Sequence, residues 1–323
     1  MGARIALLSN PRSTGNIAQL PRIRQYCADH PDLFHYEVDE VEQIGCAMKT
    51  IARIQPTILV INGGDGTVQA ALTEVYNGGH FGDNPPPLAV LPSGKTNLIA
   101  LDLGAEGDPI KALERLTEIA SRDVAPHLVA RQLIALSNGS DGEPPVIGMF
   151  LGGAGLADIM LYCRHKLYPT GMPNWLCHGL TAVAVAFQNI SGLRGRFLPP
   201  APSQMDIGLA ANGKLSGKFS LLLVTTLDKL LLSSDLKGEG QGGLKMIAVD
   251  DRRFGLLRAF TAVLRGKLGK TKMDGVHVTE LDEIRLEGGQ SPVILDGEMF
   301  QPRDGHPITL RKARPLSFVK LAA

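Results

Sequence analysis

The sequence predicts an α/β protein with an N-terminal doubly wound parallel sheet, followed by a C-terminal antiparallel β-sandwich. Three observations carry this. Up to about residue 120, short aliphatic runs alternate with helical patterns, as parallel βαβ units require. From about Val129 the texture changes to short β-like runs separated by Gly, Asn and Pro, which is the pattern of a sandwich. Three polar loops follow early strands of the first part, and in an open parallel sheet ligands lie beyond the carboxyl ends of the strands. The chain of 323 residues is about twice the length of a usual domain, so two domains sharing one site are expected: 1–127 and 128–305, the second with an apolar, helical insertion at 156–197.

Residues 4–8 read as a first strand, and the loop from Ser9 to Gly15 (SNPRSTG) follows it. A helix is expected over 16–28, a second strand over 34–38, and a second helix over 41–54 with Val41, Ile44, Met48 and Ile51 on one face. Residues 57–61 are aliphatic and β-branched without a charge, as a central strand covered on both faces demands. Gly63, Gly64, Asp65, Gly66 and Thr67 come next and open a helix that runs to about Tyr76, with Thr67 able to cap it. Three glycines let backbone N–H groups approach an anion closely at a helix start, so phosphate is the natural guest. Asp65 repels phosphate unless it holds a cation or takes a proton, and a phosphoryl-transfer site uses that conflict. Residues 88–91 form a further buried strand that empties into Pro92-Ser93-Gly94-Lys95-Thr96-Asn97, which opens another helix. In the second part, strands are expected over 133–136, 146–150, 205–209, 220–225, 246–249, 283–286 and 293–295, and helical patterns over 161–167 and 175–188.

The three loops NPRSTG, NGGDGT and PSGKTN, in this order, resemble the diacylglycerol kinase catalytic domain with its NPxSG, GGDGT and PxGTxN motifs. The wider superfamily includes sphingosine and ceramide kinases, NAD kinase and phosphofructokinase. This chain departs at Lys95, which stands where the family has threonine, with Thr96 following; Gly94-Lys95-Thr96 also lacks the upstream glycine of a Walker A loop. The resemblance implies that Asn10, Ser13, Thr14, Gly63, Gly64, Gly66, Thr67, Ser93, Gly94, Lys95, Thr96 and Asn97 hold ATP. It also implies that a late strand over 316–321, within 306–323, returns to the first domain, and that Asp296-Gly297-Glu298 faces the nucleotide across the cleft. Asp296 would then be the base for the acceptor hydroxyl, while Asp65 and Glu298 support Mg²⁺. Related kinases give the base role to the aspartate of GGDG, so the division between Asp65 and Asp296 stays open. The acidic turn that holds a structural magnesium in bacterial relatives has no counterpart at Gly242-Gly243-Leu244-Lys245.

Composition narrows the partners. A formal net charge of +1 and 5% aromatic residues argue against a nucleic-acid surface, and no apolar run reaches the roughly 18 residues of a spanning helix. Cys27, Cys46, Cys163 and Cys177 lack metal-ligand spacing and read as free thiols of a reducing cytosol. The eight histidines are scattered, so magnesium with ATP is the expected cofactor pair in preference to a transition metal. Residues 252–273 hold seven cations (Arg252, Arg253, Arg258, Arg265, Lys267, Lys270 and Lys272) and no acid. Phe254, Leu257, Phe260, Thr261, Leu264 and Leu268 share a helical face there, so a peripheral attachment to anionic lipid at the inner face of the cell membrane is expected. The reading is a lipid kinase acting on a hydroxyl of diacylglycerol, ceramide or a sphingoid base, with homodimerisation left open. Its rivals are a soluble kinase of NAD or a sugar phosphate, and a lipid-binding protein with a degenerate nucleotide site.

Overall fold

The computed structural model describes residues 4–94, 97–139, 142–162, 202–209, 213–227, 243–269, 272–288, 292–303 and 306–321. The expected helices over 161–167 and 175–188 therefore lie outside the described residues, apart from Leu161 and Tyr162 at the end of a helix that spans Gly155–Tyr162 (α6).

The first part is built on β1 (Ile5–Ser9), β2 (Leu33–Glu37), β3 (Ile58–Asn62) and β4 (Leu88–Val90), all parallel, in the order β2-β1-β3-β4. Every residue of β1, β3 and β4 is buried, which is why these strands read as unbroken aliphatic runs. The covering helices are α1 (Asn16–Asp29), α2 (Ile44–Ala52), α3 (Asp65–Asn77), α4 (Leu98–Asp102) and α5 (Pro109–Ser121). Strand order reverses between β1 and β3, so the loops after these two strands flank the switch point where such sheets bind ligands. Register puts Ser9 beside Asn62 at the ends of the two strands.

Several boundaries differ from the sequence reading. Residues 41–43 form a 3-10 turn capped by reciprocal bonds between Glu40 and Gln43, and the α-helix proper starts at Ile44. Thr67 does not cap α3: the helix begins at Asp65 with Gly64 as its N-cap and no side-chain cap, because the glycine-rich turn enters the helix three residues earlier than a threonine cap would need. The helix after the third loop is only α4, five residues long, and α5 follows with Asp108 accepting a hydrogen bond from the Ile110 amide at its start.

The antiparallel region comprises β5 (Leu128–Ser137), β6 (Val146–Gly148), β7 (Phe150–Gly153), β8 (Gln204–Leu209), β9 (Gly213–Thr225), β10 (Leu244–Asp250), β11 (Val276–Leu281), β12 (Glu283–Glu287), β13 (Val293–Leu295) and β14 (Glu298–Phe300), with α7 (Gly255–Leu264) between β10 and β11. The run expected over 146–150 is interrupted at Met149, where the chain passes from β6, paired with β5, to β7, paired with β9 and β13. The expected late strand over 316–321 is longer and starts earlier. As β15 (Ile308–Val319) it pairs in parallel with β4 through Phe318 and Leu88, and antiparallel with β5 and β12. Its register against β5 shifts between Ala313 and Leu316, the stretch that contains Pro315, which has no N–H to give a ladder. β5 runs along one edge of β15, while the other edge pairs first with β12 and then, at its end, with β4, so this strand joins the antiparallel region to the parallel sheet. Among the described residues no helix is long and apolar enough to cross a membrane.

Candidate active site

The site is built at the carboxyl ends of β1, β3 and β4. Ser9 and Asn62 close their strands with buried polar side chains, and Asn62 Nδ2 donates to Ser9 Oγ at 2.9 Å. His35 Nε2 lies 2.8 Å from the same hydroxyl, and burial pulls the pKa of that ring down. Asn16, fully buried at the start of α1, donates to the backbone carbonyls of Asn10 and Asn62 at 2.8 and 3.0 Å. Asn10 in turn donates to Thr67 Oγ1 at 2.9 Å and accepts from the Arg12 amide. These bonds lock the first loop onto the second. Ser9, Asn16, Asn62 and His35 were not among the expected site residues; the signal for the first three is a polar side chain at the end of an aliphatic strand or in the first turn of a helix, whereas His35 sits in the middle of β2.

The third loop closes on the other two. Gly15 approaches the Ser93 carbonyl so closely that any Cβ there would collide with backbone. A Cβ on Gly94 would lie 3.4 Å from Gly64 Cα and 3.6 Å from Asp65 Oδ1. Asn97, with φ of 53°, folds its Oδ1 back to accept the Gly94 amide at 2.7 Å. Ser13 is buried and its hydroxyl faces Gly64, while Thr14 is exposed beside it. Lys95 and Thr96 lie outside the described residues. Among the described residues Ser93 Oγ, Asn16 Oδ1, Asn62 Oδ1, Gln69 Nε2 and Gln132 Oε1 are buried without a hydrogen-bond partner, and the first three belong to residues that build these loops and strand ends. Buried polar atoms are ordinarily paired, so orphans on the loop residues are compatible with a polar ligand there.

The DGE turn closes the site from the antiparallel side. Asp296 and Gly297 have φ of 44° and 87° and join β13 to β14 as a two-residue hairpin, the conformation for which Asp-Gly is suited. The Asp296 side chain turns inward, where Oδ2 accepts the Met149 amide at 2.8 Å and Oδ1 the Phe150 amide at 3.0 Å. Desolvation raises its pKa to about 7, against the lowering effect of those two amides and with a further push from the charge on Asp65. Glu298 is exposed at the start of β14, yet its carboxylate reaches Gly66 so closely that a Cβ on that glycine would strike it. A Cβ on Gly297 would lie 3.5 Å from Asp65 Cβ. The structure therefore brings Asp65, Asp296 and Glu298 to one cleft, with Asp65 and Glu298 on opposite walls. Among the described residues no three His, Cys, Asp or Glu side chains form a metal cage. Two carboxylates across a cleft do fit Mg²⁺, which keeps waters and takes its remaining ligands from substrate phosphates.

The three glycine-bearing loops gathered on the parallel sheet all fall in one segment that matches a known family. Residues 4–127 match the diacylglycerol kinase catalytic domain. This catalytic-domain segment contains all three loops, whereas the DGE turn lies beyond it. A protein provisionally described as a diacylglycerol kinase from Bacillus anthracis str. Sterne superposes with a TM-score of 0.64 at 15% identity, covering 99% of this chain and 97% of its own. The crystal structure of a diacylglycerol kinase from the same organism gives 0.59 at 15% identity, with coverage of 99% and 97%. At that identity the likeness is one of fold, and it extends through both the catalytic-domain segment and the antiparallel region. No curated protein sequence matches the chain.

Proposed function

We propose that this protein is an ATP- and Mg²⁺-dependent lipid kinase that transfers the γ-phosphoryl group of ATP to a hydroxyl of a membrane lipid. The observation that carries the reading is the meeting of Asp65, Asp296 and Glu298 with three glycine-bearing loops, the loops lying in a segment that matches a diacylglycerol kinase catalytic domain. The loops bind the phosphates through backbone N–H groups, and the space over Gly64, where a Cβ would meet only Ser13 Oγ at 3.1 Å, lets a phosphate approach the main chain. Asp65 and Glu298 would hold Mg²⁺, whose chemistry is to offset charge on the phosphates.

Asp296 is the proposed base. Its two amide hydrogen bonds fix the carboxylate while each oxygen keeps a second lone pair. A proton affinity near neutrality suits a group that must be unprotonated at the start and protonated at the end of transfer. The acceptor oxygen forms a bond to the γ-phosphorus, its proton passes to Asp296, and the bond from that phosphorus to the β-phosphate oxygen breaks to release ADP.

The test is incubation with γ-labelled ATP and, in separate reactions, diacylglycerol, ceramide, a sphingoid base, NAD and a sugar phosphate. Label should enter an organic-extractable product with one of the lipids. Label confined to phosphorylated NAD or sugar would replace this reading with that of a soluble kinase.

A further inference from the structure

Helix α7 buries its small residues, with Leu256 and Val263 partly buried beside them, and leaves three of its large apolar side chains outside. Gly255, Ala259 and Ala262 are buried against a small cluster that includes Ile247, Val249, Leu268 and Val276. On the far side Leu257, Phe260 and Leu264, three and four residues apart, are 51, 53 and 58% exposed, and Phe254 at the helix entry is 36% exposed. Leu268, expected on that face, is instead 3% exposed, because the helix ends at Leu264 and the following turn tucks it inward. Packing the small face inward is the reverse of a surface helix whose apolar stripe serves the core. A contiguous patch of this kind marks an interaction surface.

Charge selects what covers it. Arg258 and Arg265, seven residues apart and exposed, flank the apolar face, and no acid occurs from 252 to 273. Arg252 at the base of the helix is already paired with Asp250 and Asp274 at 3.2 and 2.9 Å, so it anchors the segment to the sheet. A second copy docking through this face about a two-fold axis would set Arg258 and Arg265 against their own counterparts. An anionic bilayer accepts both features: apolar side chains enter the boundary between headgroups and acyl chains while arginines meet lipid phosphates. We infer that α7 is an interfacial docking helix that seats this protein on an anionic lipid surface. The inference stands on the helix alone and goes beyond the phosphotransfer reading.

The test uses the full chain without nucleotide, so its outcome is separable from that of the kinase assay. Partition is measured by co-sedimentation with phosphatidylcholine vesicles and with vesicles of phosphatidylcholine and phosphatidylglycerol. The parent should prefer the mixed vesicles by at least about tenfold, with added salt reducing the preference. Arg258→Glu with Arg265→Glu, and separately Leu257→Ser with Phe260→Ser, should each lower binding to mixed vesicles by at least about tenfold at unchanged melting temperature. As a gain of signal that does not depend on weakening anything, Phe260→Trp should add a fluorescence component that shifts to the blue with mixed vesicles. Parent binding indifferent to phosphatidylglycerol, either double variant binding like the parent, or no blue shift overturns the inference. A dimer dispersed by Leu257→Ser with Phe260→Ser, without vesicle binding by the parent, overturns it in favour of a second copy.

Discussion

A Cβ on Gly63 would lie 2.6 Å from Thr67 Cβ, whereas one on Gly64 would meet only Ser13 Oγ at 3.1 Å. Neighbouring glycines in one loop are therefore required for different reasons, the first by the fold and the second by the ligand. Gly63→Ala should lose about 1–3 kcal/mol of stability through overpacking. Gly64→Ala should stay within about 1 kcal/mol of the parent in urea unfolding and yet weaken ATP binding clearly in calorimetry. Unchanged affinity in the folded Gly64 variant would remove that loop from the nucleotide site. Asp296 makes a second prediction, with two opposite signs. Its folded pKa of about 7 lies above the ordinary carboxylate value, so its stabilising contribution is complete below about pH 4 and is lost as pH rises to about 7. A base must lose its proton to act, so kcat/KM should climb through the same upper limit. Asp296→Asn should flatten the stability profile across that window and lower kcat by roughly 10²–10⁴ with little change in nucleotide affinity. A variant with near-parental kcat would transfer the base role to Asp65. The three loops were legible because glycine and polar residues follow aliphatic runs in the chain itself. Ser9, Asn16 and Asn62 were not, because what joins them is the β1–β3 register and the entry of α1, which no single stretch of sequence contains.

Strands buried on both faces, such as β1 and β3, announced themselves as uninterrupted aliphatic runs. β15 did not. Its burial alternates irregularly, Arg311, Lys312, Arg314 and Pro315 sit within it, and only the apolar end at 316–319 carried a strand signal. β11, reading VHVTEL, and the three-residue β14 were missed for a related reason, since short strands with polar members owe their state to the partners they pair with. Two predictions belong to this scale. Phe318 is fully buried at the single parallel bridge from β15 to β4, so Phe318→Ala should cost about 3–5 kcal/mol in urea unfolding. Asp102 in α4 is 1% exposed and pairs with Arg131 of β5 at 2.9 Å. Asp102→Ala should cost about 3–5 kcal/mol because it strands a charge in the interior; a loss below about 1 kcal/mol would show that the pair contributes little.

For the molecule as a whole, the larger hydrophobic cluster contains Leu316 and Phe318 of β15 beside residues of β1, β3 and β4, and the second contains Ile308 and Leu310 of the same strand. A strand shared by two cores couples their melting. Scanning calorimetry should show one transition with equal calorimetric and van't Hoff enthalpies, and two resolved transitions would contradict the coupling. The same strand also sets an order in time. β4 ends at Val90, and its neighbour β15 does not begin until Ile308, so a growing chain displays the outer edge of its parallel sheet while more than two hundred residues are still to be made. At ordinary elongation rates that interval lasts roughly 10–40 s, during which an unpaired strand edge is open to wrong partners. Synthesis of this protein is thus a race between the ribosome and self-association, and the yield of soluble product should depend on the speed of translation and on the chaperones at hand.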